Sequence, residues 1–475
     1  MESLQEIFQE CGQGHVFDHV KDLPRDQLDG LLKQLGSLVE SGLHPQRLNE
    51  IFEKSISSDG HDAGIVKPLL DGAVVYQKDI SDEERSEWRR VGLEMIGAGK
   101  LGILLLAGGQ GTRLGSSKPK GCYDVGLPSR KSLFQLQAER ILRLQTMAGC
   151  KEGTIRWYIM TSPATHQDTM DFFESHGFFG LKKDQIVFFS QGMLPAFTED
   201  GKIIMEEEGK VAMAPDGNGG VYLALEKHGI FEDMEKNGVE ALDCCSVDNI
   251  LVRLGDPVFA GYCVVNDIQC GSRVVAKSYP EEKVGVFAQR RGKLAVVEYS
   301  ELDPIEACAQ DLGTGELFYN WSNICLHYFE REWLRSVSNK LSQGGTYHIA
   351  KKNIPSIQGA KVPGIKLELF IFDTFGMAEE WGLMEVNREE EFSPVKNGPG
   401  SASDSPDTAR QDLLNLHTSW VRSNGGFVKK YVEISPLESY AGEDLEWVRG
   451  RTFRSHEDDD EDETTTTSSA EDTES

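Results

Sequence analysis

The apolar run at Leu101–Leu106 restricts the fold of this chain more than any other feature. Its residues, LGILLL, are followed directly by a glycine-rich segment. A short, unbroken apolar run that ends in glycines is typical of a parallel strand buried on both faces. The run therefore predicts a strand inside a covered sheet.

Other segments extend this pattern. Further strands are predicted at residues 155–161, 185–191 and 244–252, with helical spacing at residues 165–176 and 219–227. An alternation of strands and helices predicts an α/β fold with an open sheet. The dipeptides Asp200-Gly201 and Arg291-Gly292 are hairpin signals, so antiparallel strands are expected to be attached to that sheet.

The pattern divides the chain into four parts. They are an N-terminal helical region at residues 1–98, a central domain at 99–390, a C-terminal domain at 391–454 and a tail at 455–475. Ser81 and Glu84 match a capping box, and the first part has no recognisable chemistry, so it is expected to be a packing arm. Residues 398–406 (GPGSASDSP) predict a flexible link.

The charge excludes two classes of partner. The net charge at pH 7 is −28, and a protein this acidic does not bind nucleic acid through a general basic surface or dock on an anionic membrane. The tail at residues 455–475 carries ten acidic residues and no Lys or Arg. Such a segment cannot offset the entropy lost on ordering, so the tail is predicted to be disordered.

The cysteines and the first residues indicate a location. Nine cysteines are scattered without a C-x-x-C pair, which disfavours a zinc site or a disulfide framework and fits reduced thiols. The acidic first residues do not resemble a signal peptide, and no apolar stretch approaches the ~20 residues that span a bilayer. The expected location is cytoplasmic.

The loop after the first strand, residues 106–115 (LAGGQGTRLG), carries the clearest functional signal. Leu114 stands where a dinucleotide-binding fingerprint has glycine, which disfavours a nicotinamide-dependent oxidoreductase. The loop also lacks the Gly-Lys-Ser/Thr sequence of a P-loop, so it does not match that motif either. Bare glycine N–H groups can approach an anion, and Arg113 and Lys120 add positive charge. Phosphate is the expected ligand.

The local charge supports a phosphate site. Residues 101–140 contain six basic and two acidic residues. A positive pocket in a negative protein concentrates an anionic ligand at one place. A glycine turn flanked by solvated lysines is the alternative that this pattern leaves open.

The same loop resembles the G-G-x-G-T-R-L-G…P-K loop of UTP-using sugar nucleotidyltransferases. The rest of the chain is similar to the eukaryotic UDP-N-acetylhexosamine (UDP-N-acetylglucosamine) pyrophosphorylases, of the UDP-sugar pyrophosphorylase family. The matching segments are GCYDVGLPSRK (121–131), WYIMTS (157–162), QGMLP (191–195), APDGNGG (214–220), VDNI (247–250), VEYS (297–300), EFSPVKN (391–397) and EISP (433–436). Their common order over most of the chain makes the resemblance specific.

The resemblance implies a Rossmann-like nucleotide-diphospho-sugar transferase fold with a mixed central sheet, an N-terminal helical arm and a small C-terminal domain. It implies an enzyme that joins UTP to N-acetylglucosamine 1-phosphate and releases pyrophosphate, by in-line attack on the α-phosphate with Mg²⁺ or Mn²⁺. N-acetylgalactosamine 1-phosphate as a second acceptor, and a homodimer, stay open. Because the attacking phosphate is already an anion, alignment and charge neutralisation are the main demands.

The resemblance also implies roles for single residues. The implied catalytic cations are Arg113, Lys120 and Lys396. The implied nucleotide contacts are Leu106, Ala107, Gly108, Gly109 and Asp248, with Gln191 and Gly217 reading the uracil. The implied contacts to the sugar and its phosphate are Asn218, Glu298, Tyr299, Asn323 and Lys366.

Asp248 is also the implied metal ligand. It follows a strand-like run at residues 242–247, so it is expected at the carboxyl end of a strand, and its hard oxygen suits Mg²⁺. Without the resemblance, Asp248 would equally fit a turn or helix cap, and Tyr299 would be a core aromatic. Lys366 would be a solvated lysine at the start of an apolar strand, which is predicted at residues 367–372.

Two alternative functions stay open. A UDP-glucose or broad UDP-sugar pyrophosphorylase would keep the loop and the lysines but differ around Asn218, Glu298 and Tyr299. A non-catalytic homologue that binds UDP-sugars would be expected to lose the charged residues, and none is lost here.

Three further expectations concern single positions. Trp321 and Ser322 stand where the family has small residues, so the wall of the sugar pocket is expected to differ. Cys122 fits a reactive thiol or, preferably, a small packing residue. The glycine-rich link suggests that a mobile C-terminal domain carries Lys396 onto the substrates.

Overall fold

The computed structural model describes residues 2–57, 64–70, 72–357, 359 and 361–454. The tail at residues 455–475, predicted to be disordered, lies outside the described residues. No helix within the described ranges has both the length and the apolar composition that crossing a membrane requires.

The α-helices and β-strands within these ranges are as follows. The helices are α1 (Glu2–Glu10), α2 (Arg25–Glu40), α3 (Pro45–Ser57), α4 (Asp82–Gly97), α5 (Leu133–Met147), α6 (His166–Ser175), α7 (Val221–Lys227), α8 (Ile230–Asn237), α9 (Pro257–Val265), α10 (Pro304–Ala307), α11 (Arg331–Gln343), α12 (Arg388–Glu391) and α13 (Pro406–Ser423). The strands are β1 (Val66–Lys67), β2 (Val74–Val75), β3 (Leu101–Leu106), β4 (Trp157–Thr161), β5 (Ile186–Ser190), β6 (Met193–Pro195), β7 (Met205–Glu207), β8 (Lys210–Val211), β9 (Met213–Pro215), β10 (Ala241–Ser246), β11 (Cys270–Ala276), β12 (Val286–Arg290), β13 (Lys293–Val297), β14 (Trp321–Glu330), β15 (His348–Pro355), β16 (Lys361–Glu368), β17 (Trp381–Glu385), β18 (Phe427–Val428) and β19 (Thr452–Phe453).

The central sheet is mixed. Its main run of strands has the order β2-β17-β11-β14-β10-β3-β4-β5, and β12 joins it through β14. Strands β10, β3, β4 and β5 are parallel, whereas β14 runs antiparallel to both β10 and β11. The predicted α/β fold with a mixed central sheet is confirmed.

The strand predicted at Leu101–Leu106 is present as β3. All residues of β3 are buried, as expected for a strand that is covered on both faces. The strands predicted at residues 155–161 and 185–191 are β4 and β5. The strand predicted at residues 244–252 is wrong in its bounds, because the chain leaves the sheet after Ser246 and its backbone bonds instead to the segment around Ser393.

One of the two hairpins belongs to the sheet. Arg291 and Gly292 connect β12 and β13 with φ angles of 54° and 76°, the positive values that a tight two-residue turn needs. The turn at Gly201, with φ 81°, lies elsewhere: Phe197 beside it bonds to Ile365 of β16, so this hairpin packs on the β15–β16 layer and not on the central sheet.

The N-terminal region is not a single packing arm. Helices α1–α3 bury apolar side chains, among them Phe8 and Leu31, against the β15–β16 layer. The later part belongs to the central domain, because β2 pairs with β17 and α4 packs on α9. The capping box of Ser81 and Glu84 starts α4 as predicted. A Cβ at Gly261 of α9 would lie 1.7 Å from the carbonyl oxygen of Trp88, so only glycine permits this helix contact.

The C-terminal domain shares its core with the glycine-rich loop. Leu413 of α13 belongs to the same buried cluster as Leu114. The predicted link at residues 398–406 is tied down, since the Lys396 N–H bonds to the Asp404 carbonyl oxygen at 2.7 Å. A rigid-body closure of this domain would have to break the shared core, so the packing favours a fixed C-terminal domain.

Candidate active site

The carboxyl end of β3 is where the fold favours a ligand. β3 lies between β10 and β4. The next strands in the chain, β4 and β5, lie on one side of β3, and the later strands β10 and β14 lie on its other side. In open α/β sheets, ligands bind outside the carboxyl ends of strands at such a reversal of strand order. Because Leu106 pairs with Ser246, Gly108 and Asp248 each lie two residues beyond the same edge.

The glycine-rich loop is shaped by close backbone contacts. A Cβ at Gly108 would lie 2.4 Å from Oε1 of Gln191, so a larger residue would displace that side chain. The Lys120 N–H bonds to the Gly109 carbonyl oxygen at 3.1 Å, which folds the loop back on itself. The fold of the loop thus returns Lys120 to the strand edge.

A cavity of about 530 Å³ opens at this edge. Ten residues predicted for the site line it, and they are Leu106, Gly108, Gly109, Gln191, Gly217, Asn218, Asp248, Asn323, Lys366 and Lys396. They come from segments that are far apart in the chain, so the fold alone brings them together.

Five predicted residues do not line the cavity. Lys120 borders it through an ion pair, and Ala107 is buried at the end of β3. Arg113 is exposed on the glycine-rich loop. Glu298 and Tyr299 follow β13, and Tyr299 is 49% exposed, so it is not a core aromatic.

Lys120 and Asp248 form an ion pair at the edge of the cavity. The Lys120 Nζ lies 3.2 Å from Oδ2 of Asp248, and the two side chains are 18% and 15% exposed. Charges shielded from water interact more strongly than a surface pair does. The pair therefore fixes the ammonium group at the strand edge, where an anionic ligand would meet it.

The segment after α12 brings Lys396 beside Asp248. The Val395 N–H bonds to the Asp248 carbonyl oxygen at 2.9 Å, so this segment is joined to the loop after β10. The Lys396 ammonium lies 5.8 Å from the centre of the Phe392 ring, within the range of a cation–π contact. Lys120 and Lys396 thus both lie at the edge of the cavity that Asp248 lines.

A buried ion network supports this junction. The Arg273 guanidinium is fully buried and lies 3.3 Å from Asp243 and 2.8 Å from Glu391. The Asn249 side-chain amide donates to the Glu391 carbonyl oxygen at 2.7 Å. The network therefore connects the sheet, the loop that carries Asp248 and the segment that leads to Lys396.

The far end of the cavity is lined by amides and a lysine. Oδ1 of Asn218 accepts from the Ile371 N–H at 3.0 Å, which leaves its NH₂ group for a ligand. Lys366 lies inside β16, and the apolar strand predicted after it is wrong: β16 ends at Glu368 and residues Ile371–Met377 form a 3₁₀ helix. Burial raises the pKa of Glu298, and the neighbouring Glu301 adds to the effect.

The expectation of a changed sugar-pocket wall is wrong for Trp321 and Ser322. Trp321 packs edge-on against Tyr76, with ring centroids 5.4 Å apart. Ser322 is fully buried between neighbouring strands. Within the described structure neither side chain lines the cavity, because β14 reaches it only from Asn323 onward.

Only some of the basic residues at 101–140 contribute positive charge to the cavity. Arg130 pairs with Asp124 at 2.9 Å and Lys131 with Glu139 at 2.6 Å, both on the wall of a separate cleft. Arg140 is buried within α5. The net charge of the stretch therefore overstates the positive charge available to a phosphate.

The environment of Cys122 opposes a reactive thiol. Burial raises the pKa of this thiol to about 12, and the nearby Lys118 reverses only part of that effect. The thiolate is the reactive form. The structure therefore agrees with the packing role that the sequence favoured.

Asp216 is a polar residue of the site that the sequence argument missed. Its carboxylate is 6% exposed and interacts with the Gln191 side chain, and burial raises its pKa from 3.8 to about 6. An aspartate between proline and glycine is typical of an exposed turn, so the sequence held no sign of this burial.

Asp248 fits one kind of metal site. Within the described ranges no group of three or more His, Cys, Asp or Glu side chains could hold a metal ion. Mg²⁺ commonly keeps several waters and uses one or two carboxylates together with substrate phosphates. Two carboxylates, Asp248 and Glu368, line the cavity. Asp248 at the cavity edge suits that arrangement, and the lining does not suit an all-protein cage.

Comparisons with known proteins agree with this geometry. The pattern of the UTP–glucose-1-phosphate uridylyltransferase family matches residues 46–430. UDP-N-acetylglucosamine diphosphorylase 2 of Arabidopsis thaliana is 48% identical, over 96% of this chain and 93% of its own length. UDP-N-acetylglucosamine pyrophosphorylase of Saccharomyces cerevisiae is 41% identical, over 95% and 98%. The crystal structure of the Trypanosoma brucei uridine diphosphate N-acetylglucosamine pyrophosphorylase, in complex with an inhibitor, superposes with a TM-score of 0.84 at 29% identity, covering 96% of this chain and 98% of that one.

Proposed function

The chain belongs to the UTP–glucose-1-phosphate uridylyltransferase family and, within it, to the UDP-N-acetylglucosamine pyrophosphorylases, and from this membership we propose its reaction. It transfers the uridylyl group of UTP to N-acetylglucosamine 1-phosphate. A phosphate oxygen of the sugar attacks the α-phosphorus of UTP, the bond to the β-phosphate oxygen breaks, and UDP-N-acetylglucosamine and pyrophosphate form.

One observation carries the proposal. The ammonium groups of Lys120 and Lys396 and the carboxylate of Asp248 meet at one cavity, directly beyond the glycine-rich loop. The reaction must bring two anions together and stabilise a leaving pyrophosphate. Fixed positive groups that need no reorganisation are the usual solution.

Different residues bind the two substrates. Gln191 and Gly217 hold the uracil, and the glycine-rich loop holds the nucleotide. Lys120 and Arg113 neutralise the triphosphate and the departing pyrophosphate, and Lys396 neutralises the attacking phosphate. No general base is needed, because the attacking oxygen carries no proton at neutral pH.

A divalent cation belongs to the proposal. Asp248 would hold Mg²⁺, or Mn²⁺, together with phosphate oxygens, and the ion would supply further positive charge to the phosphates. The Asp248 carboxylate at the cavity edge and the neighbouring ammonium groups support a cation that arrives with the nucleotide.

The amides that line the cavity support a second acceptor. The Oδ1 atoms of Asn218 and Asn323 each accept from a backbone N–H, and each NH₂ group can donate to the oxygen of a sugar hydroxyl in either configuration. N-acetylgalactosamine 1-phosphate is therefore included in the proposal as an acceptor. The cytoplasmic location and the homodimer stay predictions, which fluorescence microscopy of a tagged chain and sedimentation velocity would measure.

The test is release of pyrophosphate from UTP and Mg²⁺ with N-acetylglucosamine, N-acetylgalactosamine or glucose 1-phosphate supplied separately. We expect turnover with the two N-acetylhexosamine phosphates and little with glucose 1-phosphate. Preference for glucose 1-phosphate would favour the UDP-glucose alternative, and no turnover with any acceptor would favour a non-catalytic binding protein. Lys118→Ala, on the same loop but outside the cavity, is the control for Lys120→Ala.

A further inference from the structure

Asp216 lies directly behind the residue proposed to read the nucleobase. Strands β6 and β9 are antiparallel, with Met193 opposite Pro215. Continuing that register past the strand ends places Gly192 opposite Asp216, and the Asp216 N–H bonds to the Gly192 carbonyl oxygen at 3.2 Å. Gln191 and Asp216 are thus held together by backbone geometry.

The surrounding glycines make room for the carboxylate. A Cβ at Gly192 would lie 2.3 Å from Oδ2 of Asp216, and one at Gly220 would lie 2.1 Å from Oδ1. The Gln191 side chain lies close enough to lower the pKa of the carboxylate, as a hydrogen-bond donor does, against the larger effect of burial. Oδ1 has no hydrogen-bond partner among the described residues. A buried, partly unsatisfied carboxylate is costly, so a role beyond packing is indicated.

The carboxylate determines which way the Gln191 amide faces. Burial raises the pKa of Asp216 to about 6, so at pH 8 the group is ionised and can only accept hydrogen bonds. Gln191 must therefore donate an Nε2–H to the Asp216 carboxylate. Oε1 then faces Gly108 at the cavity, as observed. A flipped amide would place two acceptors against each other.

The orientation of this amide selects the base. Uracil presents an N3–H donor beside the O4 acceptor, whereas cytosine presents a bare N3 beside an amino group. An amide that offers its Oε1 to N3 pairs with uracil and opposes cytosine. We propose that Asp216 is a positioning residue that fixes the Gln191 amide in the orientation that accepts UTP and rejects CTP.

This inference rests on the proposed function, in which Gln191 reads the base. The test measures dissociation constants of UTP and CTP for the full chain at pH 8 by calorimetry, with turnover measured separately. Asp216→Asn can donate or accept, so it no longer dictates the amide orientation. We expect the CTP:UTP ratio of dissociation constants to fall about tenfold or more, as expected for a lost buried polar match. Asp216→Ala serves as a second variant should Asp216→Asn not fold.

The controls separate this inference from the proposed function. Asp373→Asn makes the same change at a carboxylate that bonds to His348, and it should leave the ratio unchanged. A purely structural loss would weaken both nucleotides equally and leave the ratio intact. If Gln191→Ala lowers the CTP:UTP ratio of dissociation constants while both Asp216 variants leave it unchanged, the role of Asp216 is refuted. The proposal that Gln191 reads the base is then retained. If the wild-type chain binds UTP and CTP equally, both ideas fail.

Discussion

Asp216 makes the stability of the folded chain depend on pH in a calculable way. Its pKa is raised from 3.8 to about 6, and burial is the main cause. One pKa unit corresponds to about 1.4 kcal/mol, so the ionised carboxylate costs the native state about 3 kcal/mol relative to the unfolded chain. The native state holds the proton more tightly, so this contribution to stability is present below pH 4 and is lost as the pH rises through 6.

The assay compares Asp216→Asn with the wild type in urea unfolding at several pH values. Asparagine does not titrate, so the difference between the two proteins isolates this carboxylate. We expect the variant to gain about 2.4 kcal/mol in free energy of unfolding, relative to wild type, between pH 4 and pH 7. Asp216→Ala, which also has no titrating group at this position, should show the same dependence on pH. A difference for Asp216→Asn that stays constant over this range would refute the argument that burial controls its ionisation.

Other predictions follow from single contacts. Gly261→Ala should lower the free energy of unfolding by about 3 kcal/mol, because the new Cβ would lie 1.7 Å from the Trp88 carbonyl oxygen. Gly36→Ala is the control: its new Cβ would have no atom within 4 Å, so it should be neutral or stabilising in the same urea titration. Arg273→Met should cost about 3–5 kcal/mol, since it leaves the buried Asp243 without its cation and Glu391 with Arg253 alone; a neutral result would refute the network. Lys120→Ala should lower kcat about 100-fold with a smaller effect on UTP affinity, and equal losses in both would contradict a contact that strengthens as pyrophosphate leaves.

The sequence predicted the centre of the fold well because strong local signals coincide there. The run at Leu101–Leu106 is short, fully apolar and bounded by glycines, and the strand has those bounds. The turn at Arg291-Gly292 and the capping box of Ser81 and Glu84 are also local, and both are present.

The errors arise where tertiary contacts decide. Residues 247–252 are apolar enough for a strand, yet their backbone bonds to the segment around Ser393, which is remote in sequence. Residue 366 and its apolar neighbours have strand character, but the chain bends into a 3₁₀ helix at Ile371, whose N–H bonds to Asn218.

The site could be predicted only as far as its motifs extend. The residues that line the cavity carry recognisable neighbours in the chain, such as EFSPVKN around Lys396. The burial of Asp216 and its contact with Gln191 depend on the pairing of β6 with β9, which no local pattern revealed. The net charge of residues 101–140 overstated the positive charge at the site for the same reason, because Arg130 and Lys131 pair with acidic residues in a different cleft.

The most direct test of the account is ³¹P NMR of the chain with UTP, N-acetylglucosamine 1-phosphate and Mg²⁺. We expect UDP-N-acetylglucosamine and pyrophosphate to appear in equal amounts as both substrates disappear. Added inorganic pyrophosphatase should drive the conversion towards completion. A spectrum in which both substrates persist unchanged, or in which UTP is hydrolysed while the sugar phosphate remains, would contradict it.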